Sequence, residues 1–292
     1  MKKIILGLGL LSMQLIADVV SVVPYVGYMD YNKDVNQSLK ESSILGGLYA
    51  NVGNLNYLLE LNYGYMDTKY KSSVTSEHLK QHDVTLSYSY YKPSYMMKLG
   101  AHYISTNDVV LGDGIVGITS LGGYTYSGYD KYSYGVDGYF SYYKEGRGED
   151  SNLSVVAKPV KIGQISPYFS FFKSISLNAS NLLSLVVNYE YAPDYVQKSY
   201  LSFELSDTFY YRSFFMTLSA YTGEMRSGVK KGGMSVFNTL DLMKYGREVK
   251  LGYYLTPALV ADISYSENIY EEYSLTQETR NAIAVMSLSY RF

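Results

Sequence analysis

The last eleven residues, AIAVMSLSYRF, alternate in character and stop on an aromatic. Ala282, Ala284, Met286, Leu288, Tyr290 and Phe292 fall on one parity, while Ser287, Ser289 and Arg291 share the other with Ile283 and Val285. A β-strand sends alternate side chains to opposite faces, so this segment has one apolar face and one face that becomes polar. The pattern recurs along the chain. Leu55, Tyr57, Leu59, Leu61, Tyr63 and Tyr65 oppose Asn56, Leu58, Glu60, Asn62 and Gly64. Tyr95, Met97, Leu99, Ala101 and Tyr103 oppose Lys98, Gly100 and His102. Leu183, Leu185, Val187, Tyr189 and Tyr191 oppose Ser184, Asn188 and Glu190. A glutamate set between two leucines requires a wet face beside a greasy one.

The terminal strand resembles the C-terminal signature of Gram-negative outer-membrane β-barrels. That signature is a final strand ending in Phe292, with Tyr290 two residues before it and Leu288 and Met286 upstream on the same parity. The resemblance implies recognition by the barrel-assembly machinery, with Met286, Leu288, Tyr290 and Phe292 as the assembly signal. At the other end, Met1-Lys2-Lys3 precedes an apolar run from Ile4 to Leu11 that continues to Ile16, and Ala17 is small. This is the layout of a secretory signal peptide over residues 1–17, which leaves 18–292 as one barrel domain. The apolar run is too short and interrupted to span ~30 Å of hydrocarbon as a helix.

Composition fits this class. There is no cysteine, which excludes disulfides and thiolate metal sites. Lys and Arg number 25 against 27 Asp and Glu, a balance that gives no electrostatic case for nucleic acid. Thirty-six tyrosines and no tryptophan mean that Tyr must supply any aromatic girdle at a membrane interface.

The expected fold is all-β, a transmembrane antiparallel β-barrel. The 275 residues after the signal peptide (292 − 17) give about 14 strands at ~20 residues per strand and connection, with 12 and 16 also open. Lys92-Pro93-Ser94 and Thr256-Pro257-Ala258 read as tight turns, and 31–41, 69–79, 145–151 and 271–281 as longer charged loops. The inner face is ambiguous over 18–31 and 112–126, where both parities are apolar. Fourteen strands leave a lumen unless a loop folds into it.

Charges on a lipid face are costly, so the ionisable residues on the polar parity are expected in the lumen: Glu60, Lys98, Asp137, Lys158, Glu190, Glu204, Lys250, Asp262 and Arg291, with His102 beside them. Their mixed sign predicts weak ion preference. The basic, Gly-rich run Arg226-Ser-Gly-Val-Lys230-Lys231-Gly-Gly reads first as a flexible solvated loop, with contact to lipopolysaccharide or an inward constriction as alternatives. Segment 223–246 can be taken as one extracellular loop.

No catalytic arrangement stands out. The His-x-Ser-Asn-Gly-type motif of outer-membrane phospholipases is absent. His82 and Asp83 are sequence neighbours and so point to opposite faces, which excludes them as an omptin-type pair. His78 is expected in a loop. The sequence therefore predicts a non-enzymatic, porin-like passive channel for small polar solutes, with no metal and no cofactor. Its partners would be outer-membrane lipid, lipopolysaccharide and the assembly machinery. The alternatives are a closed barrel acting as a surface anchor or interaction protein and, behind it, an outer-membrane hydrolase.

Overall fold

The computed structural model describes residues 19–31, 38–73, 75, 77–107, 112–144, 148–149, 155–156, 158–272 and 278–292. The signal-peptide segment 1–17 and most of loop 145–151 lie outside them. Fourteen strands close into one antiparallel barrel. They are β1 (Val19–Asp30), β2 (Lys40–Gly53), β3 (Tyr57–Tyr70), β4 (His78–Tyr91), β5 (Tyr95–Thr106), β6 (Gly114–Ser127) and β7 (Asp130–Tyr143). The rest are β8 (Val160–Ser176), β9 (Ala179–Tyr191), β10 (Ser199–Tyr211), β11 (Phe214–Met225), β12 (Leu242–Thr256), β13 (Leu259–Glu271) and β14 (Glu278–Arg291). Each strand pairs with its sequence neighbours, and β1 with β14 closes the ring, Tyr25 opposite Ser287 and Tyr28 opposite Ala284. Closure leaves no edge, as hydrocarbon requires, since lipid offers no hydrogen bond to an open strand. The strands run from 12 to 17 residues, enough for a tilted strand to cross a bilayer.

The two rims differ. Turns 54–56, 92–94, 128–129, 177–178, 212–213 and 257–258 hold two or three residues, whereas the opposite rim carries connections of six or more, including 144–159 and 226–241. Short periplasmic turns and longer outer loops have this arrangement in outer-membrane barrels. His78 opens β4 rather than lying in a loop, and Leu55 sits in a turn at 90% exposure, so the alternation there begins to act at Tyr57.

The outer wall is a greasy belt to which every strand contributes. Val26, Leu48, Leu61, Leu86, Leu99, Leu121, Val136, Ile165, Leu185, Leu205, Leu218, Leu251, Ile263 and Met286 all point outward, 40–63% exposed. Tyr28, Tyr63, Tyr103, Tyr189, Tyr245 and Tyr265 flank the belt toward the long-loop rim, and Tyr95, Tyr211, Phe214, Tyr253 and Tyr290 toward the short-turn rim. These are the two aromatic girdles, supplied almost wholly by Tyr. Asp207 is an exception to the inward rule for charges: it faces outward on β10 and accepts a hydrogen bond from Asn181.

Candidate functional site: the barrel interior and its inward loop

The basic Gly-rich run is not a solvated loop. Residues 226–241, narrower than the segment 223–246, leave the wall after Met225, fold into the lumen and rejoin it at Leu242. A β-bulge between Thr222 and Met225 begins the departure, and Gly223 there has φ +103° with Leu201 O 2.4 Å from where a Cβ would stand. Only glycine fits that backbone and that approach. Inside, Val229 pairs with Val236 and Lys230 with Ser235 in a two-residue hairpin, turned by Gly232 and Gly233. Gly233 lies against Ile118, 2.3 Å from the place of an added Cβ, so a side chain there would push the hairpin off the wall.

The hairpin is tied down by polar and apolar contacts. The Gln164 side chain both accepts from Val229 N and donates to Val229 O, each at 2.8 Å, as an adjacent strand would. Asn238 donates to Gln81 Oε1 at 2.7 Å, and the Gln81 amide donates to both Asp83 oxygens at 3.0 Å. Val229 packs with Val116, Ile118 and Tyr139, while Leu240 and Leu242 join Ile104, Tyr143, Val160, Ile162 and Tyr200. This explains the ambiguous parity over 112–126: Val116 and Ile118 are inward apolar residues that dock the loop, and the outward ones meet lipid. Met29 on β1 packs likewise against an inner cluster of Tyr31, Met225, Met243 and Tyr270.

Ion pairs complete the tether. Lys230 meets Glu204 at 3.0 Å and lies 3.7 Å from the Tyr221 ring centroid. Burial pulls the Lys230 ammonium below the ordinary lysine range, with Glu204 acting against that shift. Lys231 reaches Glu248 at 3.8 Å, and Lys40 on β2 pairs with Asp241. Beyond β13, Glu272 accepts from Leu39 N at 3.2 Å; burial raises its pKa, and Lys40 opposes the rise.

The residues singled out from the sequence distribute as follows. Glu60 faces inward and pairs with Lys98 at 2.8 Å; Tyr49 and Ser87 also donate to it, at 2.8 and 2.9 Å. Asp262 pairs with Lys250 at 3.0 Å and accepts from Ser287 at 2.6 Å. Glu204 holds Lys230 and Asn188. Glu190 is 1% exposed and accepts from Arg226 N at 2.9 Å, and the Arg226 guanidinium stands over the rings of Tyr195 and Tyr200. Asp137 accepts from Tyr139 at 3.1 Å. His102 is buried inside the wall, bonded to Thr85 at 2.7 Å with Asp83 3.4 Å away. Arg291 has inward parity but lies exposed at the short-turn rim. Lys158 precedes Val160 in the connection before β8, where strand parity assigns no face. His82 points outward, bonded to Tyr63, with Asp83 on the inner face. Met286, Leu288, Tyr290 and Phe292 all point outward, and the Tyr290 and Phe292 rings meet edge to face.

Parity alone does not reveal who pairs with whom. Gln164 and Gln81 sit on inner parity, and their partners are 65 and 157 residues away in sequence. Two inner tyrosines also escaped notice. Tyr25 lies over Gly47 and Tyr168 over Gly122 and Gly135, each ring filling the space a Cβ would take. The resulting interior is polar, of mixed sign and largely paired, crossed on the outer side by a tethered hairpin. Among the described residues no cluster of three or more His, Cys, Asp or Glu is placed to hold a metal.

Solved structures share this architecture. The chain is similar to Omp33 of Acinetobacter baumannii (TM-score 0.51, 10% identity, 94% of this chain and 98% of that one). It is similar to a bacterial polysaccharide outer membrane secretin (0.53, 12%, 93% and 98%) and to the monoaromatic hydrocarbon channel CymD (0.51, 7%, 96% and 90%). The chain has the fold of bacterial outer-membrane β-barrels. At these identities the likeness establishes the fold and leaves function to the site. The sequence matches no family model and no curated protein.

Proposed function

We propose that the protein is a passive, porin-like channel for small polar solutes, with the hairpin 226–241 as its constriction and no catalytic role. One observation carries this reading: a polar inner wall surrounds a hairpin held by specific bonds, as at Gln164 and Val229, instead of an apolar side-chain core that would fill the barrel. Rings of charge and a narrowing set which solutes pass through a wet lumen. Here Glu60–Lys98, Asp262–Lys250 and Glu204–Lys230 cancel in pairs, so selection acts by size more than by sign. CymD, a monoaromatic hydrocarbon channel of the same fold, supports a conducting barrel, while the polar solute class rests on the inner wall of this chain. In the same reading, the outward Met286, Leu288, Tyr290 and Phe292 form the signal read by the barrel-assembly machinery.

Proteoliposome swelling tests the proposal. Wild-type protein should admit small uncharged sugars at rates that fall with solute size, and replacing 228–237 by a short Gly/Ser link should raise the rates for larger solutes. No swelling with either protein, at verified refolding, would instead identify a closed barrel that works as a surface anchor.

A further inference from the structure

The outer face carries a charged group that the belt does not need. On β13, Glu267 shares the outward parity of Ile263 and Tyr265. Its neighbours across the sheet are Arg247 on β12, directly opposite, and Arg280 on β14, whose cross-strand partner is Ile269. Both guanidiniums converge on the one carboxylate. Arg247 donates through Nε at 2.9 Å and through Nη2 to Oε2, and Arg280 donates through Nη2 to Oε1. Tyr265 adds its hydroxyl to Oε1 at 3.0 Å. Glu267 is thus saturated and 12% exposed, while the Arg247 and Arg280 side chains are 75% and 42% exposed. The one carboxylate offsets one of the two guanidiniums, and Arg280 has a further partner besides. Two of the five N–H donors of Arg247 are spent on Glu267, which leaves three on a largely exposed guanidinium.

The height of the group identifies what it meets. Strand pairing sets Arg247 and Glu267 between Val249 and Tyr265 on the belt side and Tyr245 and Ile269 on the loop side. Glu267 stands eight residues above Leu259, or roughly 20 Å for a strand rising ~3.4 Å per residue at a tilt near 40°. That is the level of the outer tyrosine girdle, where hydrocarbon gives way to headgroups, and where an outward charge costs little. Hydrocarbon cannot use the remaining donors. A phosphate can, because a planar guanidinium fork matches its oxygens two at a time.

We infer that Arg247 and Arg280, braced by Glu267, form an outward docking site for the phosphate of an outer-leaflet lipid. The carboxylate fixes the two guanidiniums in place and prevents them from repelling each other apart. The site is separate from the lumen and holds whether or not the barrel conducts.

Native mass spectrometry of the refolded protein in detergent, with EDTA present to remove bridging divalent cations, provides the test. The probes are phosphorylated lipid A and the same lipid stripped of its phosphates. Wild-type protein should retain the phosphorylated lipid at least tenfold better. R247Q/R280Q should erase that preference, and K69Q, which removes an outward lysine paired with Glu41 three strands round from β14, should leave it intact. Heat-modifiable mobility checks that each variant is a closed barrel, and the single variant R247Q, at so exposed a position, keeps a folded protein available if the double variant fails. Equal retention of the two lipids by wild-type protein, or an undiminished preference in folded R247Q, would overturn the inference.

Discussion

Leu61 and Asn62 are neighbours on β3 that meet different solvents, and an arginine at each should separate those solvents energetically. Leu61 is 46% exposed on the outer wall, beside Leu86 of β4 and Ala50 of β2. It stands four residues above Tyr57, about 10 Å up a tilted strand, which is close to the middle of a ~25 Å apolar band. Arginine at such a midplane position costs ~2–4 kcal/mol. Asn62 points inward, 8% exposed, and accepts a long 3.5 Å hydrogen bond from the Tyr25 hydroxyl. Asn62→Arg loses that weak bond, worth ~1 kcal/mol or less, and brings a cation into a polar lumen. Leu61→Arg should therefore shift the folding equilibrium roughly 30- to 700-fold, against roughly fivefold for Asn62→Arg. Urea titration of protein refolded into liposomes, read by heat-modifiable mobility, gives both numbers. Equal tolerance of the two substitutions would refute the assignment of faces.

Gln164→Ala removes both bonds that hold Val229 and should loosen the hairpin, seen as larger conductance fluctuations with little change in barrel stability. Lys98→Ala leaves Glu60, only 12% exposed, without its cation; ion preference should move toward cations, measured as a shift in reversal potential under a salt gradient. Asp207→Asn removes an outward charge while keeping a partner for Asn181, and should stabilise the barrel by up to ~1 kcal/mol in the same urea assay. Deleting Phe292 should reduce outer-membrane assembly in cells while leaving refolding in detergent almost unchanged, as judged by fractionation beside in vitro refolding.

The barrel was legible because its constraint is local. A strand between lipid and water must alternate, and Leu59-Glu60-Leu61 or Lys98-Leu99 states the alternation within a few residues. Strand number followed from length and turn spacing. The interior was harder, since it depends on contacts distant in sequence. Val116 and Ile118 blurred the inner parity for a reason that lies about 110 residues further along, in Val229 and Gly233. The run Arg226 to Gly233 looked like a solvated loop because it is basic and rich in glycine, yet its glycines permit close approach to the wall and its lysines meet inner carboxylates. Outward Arg247, Glu267 and Arg280 break the inward rule for charges because they sit at the girdle, and a single sequence gives depth in the membrane only once the strand ends are known.

Single-channel recording in a planar bilayer tests the central claim most directly. The refolded wild-type protein should open discrete, ohmic steps with weak ion preference, and the variant lacking residues 228–237 should give larger steps. A correctly refolded barrel that passes no current in either form would contradict the channel.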